Sequence, residues 1–103
     1  STIKAFDNNP FQMVERDFAF LFPKSVKADE IITKINKIDK KLINKVSIFD
    51  VYEGEKIEKD TKSIAIRIFL QPLEKTFNDE EIESVSNQII DVIITNFQAE
   101  LRK

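Results

Sequence analysis

The chain contains no histidine, no cysteine and no tryptophan, and it has one glycine, Gly54, in 103 residues. Without histidine or cysteine there is no Ser-His-Asp or Cys-His nucleophile and no zinc cage of the usual ligands. One glycine excludes a phosphate-binding P-loop and a dinucleotide-binding glycine fingerprint. The lack of cysteine removes any disulfide framework and is compatible with a reducing compartment. No stretch approaches the roughly 20 uncharged apolar residues that a membrane-spanning helix needs. The first ten residues lack the basic start and apolar run of a signal peptide. Together these absences argue against self-contained catalysis.

What is present is an ordinary core composition, 42% apolar, with 16 Lys plus Arg against 18 Asp plus Glu. The net charge of −2 and pI near 5.2 argue against a free-standing, nonspecific nucleic-acid binder. They leave room for a module that reads one or two nucleotides within a larger enzyme. The length allows a single domain.

Hydrophobic periodicity divides the chain into six elements. Residues 1–15, with Asp7, Asn8, Asn9 and Pro10, read as an entry segment, and the domain proper as 16–103. Residues 16–22 alternate Phe18, Phe20 and Phe22 against Asp17, Ala19 and Leu21, a period of two that predicts a strand ended by Pro23. Residues 25–41 read as a helix, with Asp29 and Glu30 early, lysines late, and Ile31, Ile35 and Ile38 in one stripe. A second strand covers 42–52, and Gly54 begins a polar connection. Residues 63–70 alternate Ile64, Ile66, Ile68 and Leu70 against Ser63, Ala65, Arg67 and Phe69.

Asn78 with Glu81 forms a capping-box pattern for a helix to about Phe97, whose stripe of Ile82, Val85, Ile89 and Ile93 is widened by Ile90 and Ile94. A short strand over 99–102 ends the chain. The order strand, helix, strand, strand, helix, strand predicts an α+β ferredoxin-like split βαβ fold (βαββαβ). Its four-stranded antiparallel sheet would carry both helices on one face.

The other face is then open. It carries Asp17, Ala19 and Leu21 from the first strand, with Ser63, Ala65, Arg67 and Phe69 from the third. The second strand adds either Asp50 and Tyr52 or Phe49 and Val51. We expect Asp50 and Tyr52, because burying Asp50 under the helices without a partner would cost several kcal/mol. Strict alternation would then expose Val46 and Ile48 as well, so a bulge near Ile48, or cover from the N-terminal segment, is required. The small Ala19, Ser63 and Ala65 would let a flat ring approach the sheet, with Tyr52 to stack on it at about 1–3 kcal/mol if the ring is a nucleobase. Asp50 accepts hydrogen bonds only, which suits the adjacent N–H donors of an unstacked guanine. Such faces also bury against partner domains, so patterning alone leaves both uses open. Arg67 is placed either to contact phosphate or sugar or to pair with Asp17 across the strands, and Arg16 to pair with carboxylates at the strand end.

Five segments in register, RDFA at 16–19, IFDVYEG at 48–54, KSIAIR at 62–67, KTFNDEEI at 75–82 and FQAELR at 97–102, carry a resemblance to a known family. Together they resemble the ferredoxin-fold anticodon-binding domain at the C-terminus of the bacterial phenylalanyl-tRNA synthetase β subunit, over roughly residues 10–102. The resemblance implies a noncatalytic module of a cytoplasmic ATP- and Mg²⁺-dependent ligase, excised from the C-terminal end of its β subunit, with no cofactor in this fragment. The implied partners are phenylalanine tRNA, through its anticodon loop, and the α subunit and other β-subunit domains of an α2β2 parent, with no membrane. It carries the family's recognition surface onto Ala19, Asp50, Tyr52 and Ser63, with guanine as the first anticodon base, and supports the outward placement of Asp50 and Tyr52. Gln98 stands where the family commonly has Gly, and Phe77 where it has Leu.

Two other uses of the fold are weighed against it. A small-molecule regulatory module of the ferredoxin-like kind, which dimerises to bind an amino acid, usually needs a glycine where the first strand meets the first helix. An acylphosphatase-like site needs an arginine there. The loop in question reads Phe22-Pro23-Lys24-Ser25, with neither residue.

Overall fold

The structure is a computed structural model that describes residues 11–73 and 78–102. The turn expected around Asp7 to Pro10, and Phe77 with the residues just before it, lie outside them. Strand β1 is Val14–Pro23, helix α1 Ala28–Asn36, strand β2 Ile43–Tyr52, strand β3 Thr61–Leu70, helix α2 Asp79–Phe97 and strand β4 Glu100–Leu101. The strands form one antiparallel sheet in the order β2-β3-β1-β4. This is the expected ferredoxin-like α+β arrangement.

The alternating strands bury the faces their side chains dictate. Phe20, Phe22, Ile64, Ile66, Ile68 and Leu70 are buried beneath the helices, and α1 and α2 return Ile31, Ile35, Ile82, Ile89 and Ile93 to the same core. Removing each such side chain from water contributes about 1.5–3 kcal/mol. The β1 phenylalanines form a ladder, Phe18 to Phe20 at 6.2 Å and Phe20 to Phe22 at 5.8 Å between ring centroids. Phe97 closes it edge-on against Phe22 at 6.0 Å. Ile94, expected to widen the α2 stripe, is 39% exposed instead, because it lies on the flank of the helix that turns away from the sheet.

Helix α2 begins as its sequence prescribes. The Asn78 side chain accepts from the Glu81 N–H at 3.0 Å, and the Glu81 carboxylate accepts from the Asn78 N–H at 3.0 Å. Helix α1 is shorter than expected, ending at Asn36 and not at residue 41. The cause is Asp39, whose carboxylate accepts from the Lys41 and Leu42 N–H groups at 3.1 and 2.9 Å while its carbonyl accepts from Ile43 at 2.9 Å. A short acidic side chain that bonds the backbone ahead of it favours a turn over further helix. At the C-terminus the ladder is Glu100–Leu101, within the expected 99–102, and the Arg102 N–H still donates to the Ala19 carbonyl at 2.7 Å.

Strand β2 does not run regularly. Its register against β3 shifts between Ile43 and Lys45, and again between Ile48 and Asp50. The second shift inserts Phe49 as an extra residue, and so of the two expected alternatives, a bulge near Ile48 or cover from the N-terminal segment, the bulge is present. It reverses the phase of the alternation. Val46 and Ile48 sit opposite Ile68 and Ile66 on the helix side, whereas Asp50 and Tyr52 sit opposite Ala65 and Ser63 on the other.

Candidate nucleic-acid interface

The open face is ordered in rows across the three long strands. Ala19, Ala65 and Asp50 lie abreast, as do Leu21, Ser63 and Tyr52 in the next row and Asp17, Arg67 and Ser47 in the row on the other side. Successive rows are separated by about 7 Å, two strand residues. The two alanines therefore make a shallow floor, with Asp50 at its β2 edge. Tyr52 flanks it on one side and Arg67 on the other. Among the described residues Asp50 has no ion pair and no side-chain hydrogen bond, so its carboxylate is an available acceptor.

Arg67 is committed within the sheet. Its Nε and Nη2 donate to the two Asp17 oxygens at 2.8 and 2.9 Å, and Nε lies 3.5 Å from a Glu15 oxygen. These bonds hold the Asp17 carboxyl below its ordinary range and push the Arg67 guanidinium up. The guanidinium carbon stands 4.7 Å from the centroid of the Phe49 ring. The cross-strand pair with Asp17 that the sequence offered is thus formed, with Nη1 left over. Arg16, expected to meet a carboxylate, donates to the neighbouring Glu15 carbonyl at 2.8 Å instead, because it sits opposite Ile68 on the helix side of the sheet while Glu15 and Asp17 point to the open face. Phe69 faces the same side, with the Lys45 ammonium 5.7 Å from its ring centroid.

Ser63 is buried, and its hydroxyl accepts from Arg102 Nη1 at 2.9 Å, leaving its own O–H to donate. Sequence reasoning missed two members of this surface. Arg102 crosses onto the open face from β4 and has no ion pair among the described residues. The signal was weak, since β4 is too short to show a period. Phe49 is 49% exposed beside Arg67; under strict alternation it could share a face with Val51 but not with Asp50. Ala19, Asp50, Tyr52, Ser63 and Arg67 themselves are brought together on one face as expected.

The family model for the ferredoxin-fold anticodon binding domain matches residues 9–102. The chain belongs to this family. It is similar to phenylalanine–tRNA ligase β subunits, among them that of Bradyrhizobium diazoefficiens, 50% identical over 80 residues, which are 78% of this chain and 10% of that protein. The β subunit of Nitrobacter winogradskyi is 48% identical over the same shares. That of Bartonella quintana is 39% identical over 95 residues, 92% of this chain and 12% of the relative. The chain thus spans about a tenth of the length of the curated relatives it matches. Among its described residues this anticodon-binding domain has no group of three or more His, Cys, Asp or Glu side chains able to hold a metal ion. No described helix is long and apolar enough to cross a membrane.

Proposed function

We propose that the open sheet face reads the first anticodon base of phenylalanine tRNA, a guanine, on behalf of a phenylalanine–tRNA ligase β subunit. The observation that carries this reading is Asp50, a carboxylate with no partner among the described residues, beside a two-alanine floor and a tyrosine. A base laid on Ala19 and Ala65 would have its Watson–Crick edge within reach of Asp50. Guanine presents two adjacent N–H donors there, and a carboxylate is an acceptor only. Adenine and the pyrimidines would each bring at least one acceptor to it. Tyr52 supplies stacking of about 1–3 kcal/mol, which is indifferent to sequence. The Ser63 hydroxyl, held by Arg102, has its proton to offer. Arg67 through Nη1, and Arg102, are placed to contact phosphate or sugar, which positions the RNA without reading it.

In this reading residues 16–103 are the RNA-reading module and 1–15 lead into it. The chemistry belongs to the rest of a cytoplasmic α2β2 ligase, where the α subunit would use ATP and Mg²⁺ to activate phenylalanine. Among the described residues no cluster of side chains fits a metal site. The test is an NMR titration of the labelled chain with the anticodon stem-loop of phenylalanine tRNA at low salt, and with a stem-loop whose first anticodon base is changed. Shifts gathered at Ala19, Asp50, Tyr52 and Ser63, and weaker with the altered loop, are expected. Equal shifts with both loops, or none at millimolar RNA, would sink it.

A further inference from the structure

Gly54 lies just beyond β2, in the connection to β3. Its φ is not in the left-handed region: the described residues with positive φ are Asp60 and Gln98. The backbone here therefore does not require glycine. What requires it is space. A Cβ built on Gly54 would come within 2.7 Å of Cζ of Tyr52 and 3.2 Å of its Cε2, and closer still to its hydroxyl oxygen. The ring of Tyr52 lies directly on the bare Cα of Gly54. Among the described residues, its two chain neighbours aside, nothing else comes as close to that position.

The connection that presents Gly54 is itself anchored. The Ile57 N–H reaches the Gly54 carbonyl at 3.4 Å, the Thr61 N–H the Glu58 carbonyl at 3.3 Å, and the Lys24 N–H the Asp60 carbonyl at 3.0 Å. The Lys24 ammonium lies 3.4 Å from the Glu53 carboxylate. The tyrosine therefore rests against a held surface, while the residue itself is 39% exposed.

We infer that Gly54 is a positioning residue for the base-stacking surface: the absence of its side chain sets the resting place of the Tyr52 ring. This deepens the RNA-reading proposal above and rests on it for its functional consequence. Ring position and folding are separable at this site. The atoms a methyl group would meet are the far end of a half-exposed side chain, which swings aside at little cost, and not backbone or core. Substitution at Gly54 therefore moves the ring without unfolding the domain.

The chain carries its own reporter, since Tyr52 is its one tyrosine and it has no tryptophan. The experiment compares the 103-residue chain with Gly54→Ala, Tyr52→Ala and the double variant. Urea denaturation midpoint, tyrosine emission with near-UV circular dichroism, and affinity for the anticodon stem-loop are read for each. For Gly54→Ala the expected result is an unchanged midpoint and a changed tyrosine signal without RNA. The stem-loop affinity should fall by most of the roughly 5- to 150-fold lost in Tyr52→Ala, and the double variant should bind no worse than Tyr52→Ala alone. An unchanged tyrosine signal would overturn the inference. So would losses that multiply in the double variant, since Gly54 would then act independently of the ring. If the unsubstituted chain bound neither stem-loop, the RNA reading would fail, and the tyrosine signal of Gly54→Ala would still decide whether Gly54 positions the ring.

Discussion

Arg67 and Asp17 face each other across β1 and β3 and are joined by two parallel hydrogen bonds of 2.8 and 2.9 Å. The pair lies on the open face, one row from the alanine floor, and its guanidinium leans on Phe49. Its effect is to fix the edge of the proposed binding surface at a point where β2 is irregular.

This pair gives the domain an acid-side signature. Asp17 has its carboxyl held below the ordinary value of 3.8 by Arg67. A group depressed in the folded state stabilises fully above its unfolded pKa, and that contribution fades as pH falls through the folded value. Asp17→Asn should therefore be less stable than the parent by a constant margin above about pH 5, with the margin closing below about pH 4. Urea denaturation of both proteins from pH 7 to 3 measures it, and a margin that widens in acid would refute the assignment.

Asp50→Ala separates recognition from folding. The side chain is exposed, so stability should change by less than about 0.5 kcal/mol. The preference for a guanine-first stem-loop over the altered loop should fall by about 1–3 kcal/mol, the usual worth of one bidentate base contact. Parallel titrations with the two loops decide it. Undiminished discrimination would remove Asp50 from the reading site.

Arg102→Gln should act differently. If Arg102 meets phosphate, the variant weakens both stem-loops alike and lowers the slope of log affinity against log salt by about 1. Binding measured between about 20 and 200 mM salt gives the slope. A loss confined to the guanine-first loop would instead make Arg102 a reader of the base.

Ser86 lies on the buried face of α2, 4% exposed, with a hydroxyl that has no hydrogen-bond partner among the described residues. Alanine has the higher helix propensity and leaves no unmet polar atom, so Ser86→Ala should stabilise the domain by about 1 kcal/mol. The shift in urea midpoint checks this, and destabilisation would show that the hydroxyl is satisfied after all.

Much of this fold is legible in the residues because each signal there is local. The β1 and β3 alternations, the Asn78–Glu81 cap and the order of the elements need only nearest-neighbour periodicity. What was misread depends on competition. Asp39 sits in a run that counts as helical by its apolar spacing, but its side chain bonds the backbone ahead and stops α1 early. At the site, Asp50 could be placed outward on its charge alone, and that placement called for either a bulge or cover from the N-terminal segment. Which residue is extra was not visible, because Phe49 is as suitable for a core as for an open face. Arg102 was overlooked since its direction is set by β4 pairing with β1, a contact between residues about 80 positions apart.

The irregularity that presents Asp50 has a second effect, on the border of the sheet. Among the described strands β2 is outermost, ten residues long, and the side it leaves unpaired there is a template on which another extended chain could add itself. Two extra residues, in the register shifts at Ile43–Lys45 and Ile48–Asp50, break that template into short lengths. The kink that turns a carboxylate toward the proposed ligand thus also guards the molecule against sticking to its own copies. Straightening β2 would expose the chain to both failures together, misplacing the reader and opening a seam for aggregation.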